Sequence, residues 1–364
     1  MKPAPPREED RPPASDPRRL ESIDALRGVG IAAVVALHVS WSLLDHATLD
    51  SAAGRVLATK HFAAAFGVPL FLALSAFGLA RRHDFRVEGA AAFLAFLAAR
   101  VRRLLPAYVV WSLLAAASRD FALLATPGRV FSLLRDGTGG AQFYFVPTLF
   151  ELYLWWPLLG LLLPRRSPLA KLTLLAVAAL ASLAVWQDML RLTRTPLGFF
   201  ALYVAGGMVA ATLSPPSRRV RLTAMGVALL AAAASLTVAV ARFAASPFES
   251  RDAMAFAATI FQPLFAVYTF AALVFLALAV LSPGAPLSAL AGLGRLAYGI
   301  FLCHLLVGLF VVHPLFGGDL AAGASAVAAA IRFGCEWTAT LAASAALTWA
   351  LARSPRTRWL VGEG

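Results

Sequence analysis

Arg27 and His38 stand eleven residues apart in the stretch ESIDALRGVGIAAVVALHVSW, residues 21–41. In a helix, eleven steps of about 100° come close to three whole turns, so both side chains fall on nearly one face, with His38 roughly 16 Å further along the axis. The residues between them are apolar. The pair therefore reads as a guanidinium at a membrane surface and an imidazole near the middle of the same span. Ionisable groups inside a span are costly, which makes each a functional candidate. A guanidinium holds anions through forked donors, and an imidazole takes and gives protons near neutral pH. The plainer alternative has Arg27 marking the membrane boundary and His38 bonding a neighbouring helix, and this helix alone does not decide between them.

Three further clusters carry polar chemistry. Arg81, Arg82 and Arg86 lead to Arg100, Arg102 and Arg103, followed by Pro106 and Tyr108. Arg100 and Arg103 are three apart and share one helix face, which suits a phosphate-bearing ligand. Arg102 points elsewhere, and headgroup contact accounts for the earlier arginines. The stretch GGAQFYFVPTLFELYLWWPLL, residues 139–159, brings Gln142, Tyr144, Glu151 and Tyr153 ahead of Trp155, Trp156 and Pro157. Glu151 is expected to be the one carboxylate well inside a span, and it needs a partner or a proton there. The two tryptophans read as an interfacial belt. In GLGRLAYGIFLCHLL, residues 292–306, Tyr298 and His304 are six apart and face different ways. Structural hydrogen bonding is the plain reading of both, and a second intramembrane imidazole is the functional one.

The elements that must position these groups follow from composition. The chain has 364 residues, of which 60% are hydrophobic, with a mean hydropathy of +0.75. Repeated apolar runs of about 20 residues exceed what one soluble core uses, so the expected fold is an all-α, polytopic bundle of transmembrane helices. Ten spans are expected, at about 23–44, 61–80, 104–124, 143–163, 169–187, 197–213, 220–242, 254–281, 293–313 and 325–352. The formal charge of +13 comes from arginines in short loops, a topology signal and not a nucleic-acid footprint. Their bias toward alternate loops places both termini in the cytoplasm. Residues 1–19 are Pro-rich and charged and read as a disordered cytoplasmic tail without a signal-peptide layout. A transmembrane domain over 20–352 and a short tail at 353–364 complete the division. Cys303 and Cys335 lie in apolar segments and read as buried small hydrophobes, not as a disulfide or metal pair. No P-loop, HExxH, GxSxG elbow or Cys/His metal spacing occurs, so neither a nucleotide hydrolase nor a metalloenzyme is expected.

Taken in this order, the four clusters resemble the membrane acyltransferase-3 family, which includes polysaccharide O-acetylases and macrolide acylases. IDALRGVGIAAVVALHVS resembles its D-x-L-R-G opening followed by an intramembrane His. VPLFLALSAFGLA resembles its F-F-V-L-S-G-F stretch, with Ala76 for Gly. ARVRRLLPAY resembles its R-x-x-R and P-x-Y helix start. FYFVPTLFELYLWWPLL resembles its W-Y-L span, with Tyr144 for Trp and Gln142 for His. LAYGIFLCH resembles its S-Y-x-I-Y-L-x-H span, with Ala297 and Phe301 for Ser and Tyr. A carboxylate that some members carry before the last histidine span is missing, since no Asp or Glu stands between Asp252 and Asp319. No stretch reads as the esterase-like domain of longer members.

The resemblance implies acyl transfer from cytoplasmic acetyl-CoA, or another acyl-CoA, to a hydroxyl of a sugar, glycolipid or hydroxylated small molecule. The catalytic set expected on that basis is His38 with Tyr144, Tyr298 and His304. Arg27, Arg100 and Arg103 would bind acyl-CoA, with Asp24 and Glu151 in support. No metal is expected. The partners are the acyl-CoA, the acceptor and the bilayer, with no nucleic acid, and the location is the inner cell membrane. Two rivals remain: a transporter using His38, His304 and Glu151 as a proton relay, and a catalytically inactive membrane scaffold.

Overall fold

The computed structural model describes residues 17–44, 51–82, 89–161, 167–186, 197–245, 263–280, 287–317, 320 and 323–363. Among them every regular element is helical and no strand occurs. In chain order the helices are α1 (Pro17–Leu44), α2 (Ala52–Ala64), α3 (Gly67–Arg82), α4 (Gly89–Ala117), α5 (Pro127–Asp136), α6 (Phe145–Leu161) and α7 (Pro168–Trp186). Then come α8 (Ala201–Ala210), α9 (Arg218–Ala245), α10 (Pro263–Val280), α11 (Ser288–Arg295), α12 (Ala297–Val307) and α13 (Ala326–Arg353). Most of the tail expected at 1–19 lies outside the described residues, and α1 begins within it, at Pro17.

Among the described residues, five stretches are long and apolar enough to cross a membrane: Glu21–Leu44, Ala52–Arg81, Pro168–Val185, Arg218–Arg242 and Ala297–Leu315. Helices at Phe145–Leu159, Leu197–Ala210 and Phe265–Val280 are apolar but shorter. The outer surfaces of α7 and α9 are apolar too, with Leu172, Leu180, Val227 and Leu230 more than half exposed. A soluble protein hides such faces, whereas lipid solvates them.

The second and third expected spans are placed differently from the sequence reading. The chain is already helical from Ala52, nine residues before the expected start at 61, because Arg55, Lys60 and His61 depress the hydropathy there without breaking the helix. Likewise α4 starts at Gly89, far ahead of 104, and stops at Ala117. The run GAAAFLAFLAA is rich in strong helix formers, and the arginines that resemble a boundary lie inside the helix. After α4, Asp120 accepts a hydrogen bond from the Ala122 amide at 2.9 Å, opening a short 3₁₀ turn at Phe121–Ala125. α5 then ends on Gly137 in the left-handed region.

The element at the centre is α1. It packs against α2, α3, α10, α11, α12 and α13, most extensively against α11. That crossing is as close as backbones come: a Cβ at Gly28 would overlap the Leu290 carbonyl, and one at Gly294 would overlap the Asp24 carbonyl. Small residues at such crossings let helices dock without side chains between them. Two hydrogen bonds fix the neighbours. His61 on α2 bonds the Leu37 carbonyl at 3.0 Å, and Trp337 on α13 donates to the Ala32 carbonyl at 2.9 Å.

Candidate active site

The polar residues sort into two levels along the bundle. At one level Arg27 pairs with Asp24 at 2.9 Å, so the two act as one local unit in which the carboxylate orients the guanidinium. Arg100 stacks its guanidinium on Phe96 at 3.8 Å from the ring centroid and lies 5.8 Å from that of Tyr153. Arg27, Arg100 and Arg103 all lie within electrostatic reach of the Tyr153 hydroxyl. Arg27, which sequence spacing could not connect to Arg100 and Arg103, thus shares their electrostatic neighbourhood at this tyrosine. Arg103 Nε donates to the Gly362 carbonyl at 2.9 Å, which brings the chain's last described turn against this cluster. Tyr298 is here as well, donating to the Leu104 carbonyl at 2.8 Å.

The second level lies deeper by about eleven residues of α1 and nine of α6, roughly 14–16 Å of helix rise. His38 and His304 meet there with ring centroids 5.1 Å apart. His304 is buried, and its Nδ1 lies 3.0 Å from the Ile300 carbonyl and 2.9 Å from the Phe301 carbonyl. Carbonyls only accept, so Nδ1 carries the hydrogen, and Nε2 of the neutral ring is left with its lone pair. That Nε2 is buried with no hydrogen-bond partner. His38 is partly buried and borders a chamber of about 1300 Å³, together with His61, Gln142 and Tyr144. Tyr298 does not reach this level, being six residues, about 9 Å of helix rise, before His304.

Sequence reasoning missed three groups here. His313 Nδ1 lies 3.2 Å from Glu336 Oε2, and Arg332 bonds the other oxygen of the same carboxylate. Glu336 is 2% exposed. A water-sized cavity of about 20 Å³ is lined by His38, His304, His313, Glu336 and Thr340 among others. Glu151 is therefore not the one carboxylate well inside a span: Glu336 stands eleven residues into the expected tenth span and was passed over in an Ala-rich run. Nine α-helical steps would place His304 and His313 on opposite faces. The wider π-helical stretch Gly308–Val312 takes up part of that offset. A helix drawn from sequence at constant pitch hides this.

The remaining expected residues are plain to place. Glu151 accepts a hydrogen bond from the Leu197 amide at 2.8 Å, satisfying a donor at the start of the 3₁₀ turn Leu197–Phe200 that leads into α8. It supports the wall of the chamber, which Phe199, Phe200 and Tyr203 help to form. Arg81 is exposed, while Arg86 lies outside the described residues, as does the side chain of Arg82. Trp156 is fully buried and Trp155 is 55% exposed, so a belt position suits only the second. Of the cysteines, Cys303 is buried and Cys335 is exposed.

A family model described as an acyltransferase domain matches residues 20–353. Comparison with curated proteins gave no match, and comparison with solved structures gave none. The matched stretch takes in the arginine cluster, the imidazole pair and the buried carboxylate alike, and on that match this helical membrane protein belongs to the membrane acyltransferase-3 family and carries its acyltransferase domain.

Proposed function

We propose that the protein moves an acyl group, acetyl in the first instance, from a cytoplasmic acyl-CoA to a hydroxyl of a carbohydrate or related acceptor. The observation that carries this reading is the His38–His304 pair at 5.1 Å, of which His38 borders a chamber large enough for a substrate. In this reading the protein is a multi-pass protein of the inner membrane, with ten spans and both termini in the cytoplasm.

The chemistry follows from the tautomers. His304 keeps a lone pair on Nε2 beside the His38 ring, and in this mechanism a small turn of either ring lets His38 donate an N–H to it and keep its own lone pair for the chamber. His38 takes the proton of the acceptor hydroxyl as the oxygen attacks the thioester carbonyl. The tetrahedral intermediate collapses, breaking the C–S bond, and the imidazolium returns the proton to the leaving thiolate, giving the ester and free CoA. Glu336, through the water-sized cavity, lowers the cost of the transient positive charge on His38. In this mechanism Tyr144, which lines the same chamber, donates to the developing oxyanion, and Tyr298 holds α4 at the other level. The phosphates of CoA dock on Arg27, Arg100 and Arg103, and the arm that joins nucleotide to thioester carries the acyl group toward the second level.

The line from His38 through His304 to His313 and Glu336 is also what a proton-coupled transporter would use. Purified protein in lipid nanodiscs with radiolabelled acetyl-CoA separates the two. Acyl transfer releases free CoA and labels an acceptor, and a transporter or an inactive scaffold does neither. Arg100→Ala with Arg103→Ala is expected to raise the KM for acetyl-CoA by tenfold or more, the worth of about 1.4 kcal/mol. An unchanged KM would contradict the docking role.

A further inference from the structure

Gln142 is 2% exposed, and both its amide nitrogen and its amide oxygen are buried without a hydrogen-bond partner. It lies on the chamber wall that His38 and Tyr144 share. A buried carboxamide with neither end satisfied is expensive, and native structures keep one where a ligand or water completes it. The rest of the chamber is of the opposite character. Its far walls are apolar faces of α9 and α10, such as Val227, Ala231, Phe270 and Val274. At about 1300 Å³ it exceeds the roughly 300–1000 Å³ of ordinary small-molecule sites and is far larger than an acetyl group needs.

From this we infer the class of acceptor, on the acyl-transfer reading above: an amphipathic alcohol, a hydroxyl-bearing lipid or a glycoside with a long apolar aglycone. Its apolar body fills the chamber between α9 and α10, and its hydroxyl end sits between Gln142 and His38. The carboxamide decides between acceptor and donor as occupant. The reacting hydroxyl gives its one hydrogen to His38 and accepts from Gln142 Nε2, and a neighbouring hydroxyl of the same head group donates to Oε1. The hydrocarbon tail of a long acyl donor satisfies neither. A free sugar satisfies the carboxamide and leaves the apolar walls unfilled.

The test uses protein in nanodiscs, radiolabelled acetyl-CoA, and glucose, octyl glucoside and dodecyl glucoside as acceptors. The expected result is a kcat/KM that rises with alkyl length, at least a hundredfold from glucose to dodecyl glucoside. Gln142→Leu keeps the size of the side chain and is expected to raise the KM for dodecyl glucoside about tenfold, with the KM for acetyl-CoA within twofold of wild type. A diazirine-bearing dodecyl glucoside is expected to label chamber residues of α9 and α10, to be displaced by unlabelled dodecyl glucoside, and to lose that labelling in Ala231→Trp. This last readout needs no turnover. If labelling and its Gln142 dependence hold while no acyl transfer to any acceptor is seen, the acceptor-site inference stands and the acyl-transfer reading falls. If acetyl reaches glucose and dodecyl glucoside equally well, the inference falls and the transferase reading stands. Displacement of the label by palmitoyl-CoA, or by methyl dodecanoate with no effect of Gln142→Leu, would make the chamber an acyl or lipid pocket and overturn the inference.

Discussion

At the residue scale, His304 does for His38 what an orienting group does for any general base. Its two carbonyl contacts fix its own hydrogen on Nδ1, and its ring stands 5.1 Å from that of His38. His304→Ala is therefore expected to lower kcat by about tenfold to a hundredfold, less than the roughly 10²–10⁴-fold that a general base itself supplies, while leaving the KM for acetyl-CoA unchanged. A matched rise in KM would mean that the ring serves packing instead. Glu336 acts one step further out. Glu336→Gln keeps the shape of the side chain but removes the charge that Arg332 and His313 share. Two effects are expected: a loss of several kcal/mol in stability from the broken buried pair, and, in the folded fraction, a kcat about tenfold lower at unchanged KM. Equal kcat would show that Glu336 is structural alone.

At the element scale, the site depends on how closely α1 is allowed to lie against α11. The glycine of DALRG is thereby explained by contact: the Gly28 and Gly294 backbones touch across the crossing. Gly294→Val is expected to push α11 away and cost about 1–3 kcal/mol, the usual price of overpacking, read as a drop in thermal stability. Because α12 follows α11 directly, His304 should shift with it, and acetyl transfer should fall more than stability accounts for. The Arg27–His38 register was legible in sequence because both lie in one helix, where a spacing of eleven fixes the face. Arg100 and Arg103 were legible for the same reason. What brings Tyr153 to those arginines, or His304 to His38, is the packing of separate helices, on which local spacing is silent. His61 stands at the very start of the expected second span, because Arg55 and Lys60 lower the hydropathy of α2 and make the part before it read as loop.

At the scale of the whole molecule, the apolar content announced a helical membrane protein, and the lipid-facing leucines of α7 and α9 are its visible expression. Less legible was the division of the interior into a guanidinium level and an imidazole level, because it depends on α1 and α6 both running through the bundle beside α4 and α12. The proposed orientation in the membrane rests on the loop arginines. With Cys335 replaced, since it is exposed, single cysteines introduced at Ser15 and Ser354 are both expected to react with an impermeant maleimide only after the inner face is opened. Reaction of either from outside intact cells would reverse the assignment and put the arginine level on the wrong side for cytoplasmic acyl-CoA.

The most direct measurement is single-turnover CoA release from acetyl-CoA by His38→Ala in nanodiscs, alongside CoA binding by the same protein. The account predicts a rate at least a hundredfold below wild type with the dissociation constant for CoA unchanged. Release at the wild-type rate would contradict it, because the chemistry would then not pass through the imidazole on which every other element of the site converges.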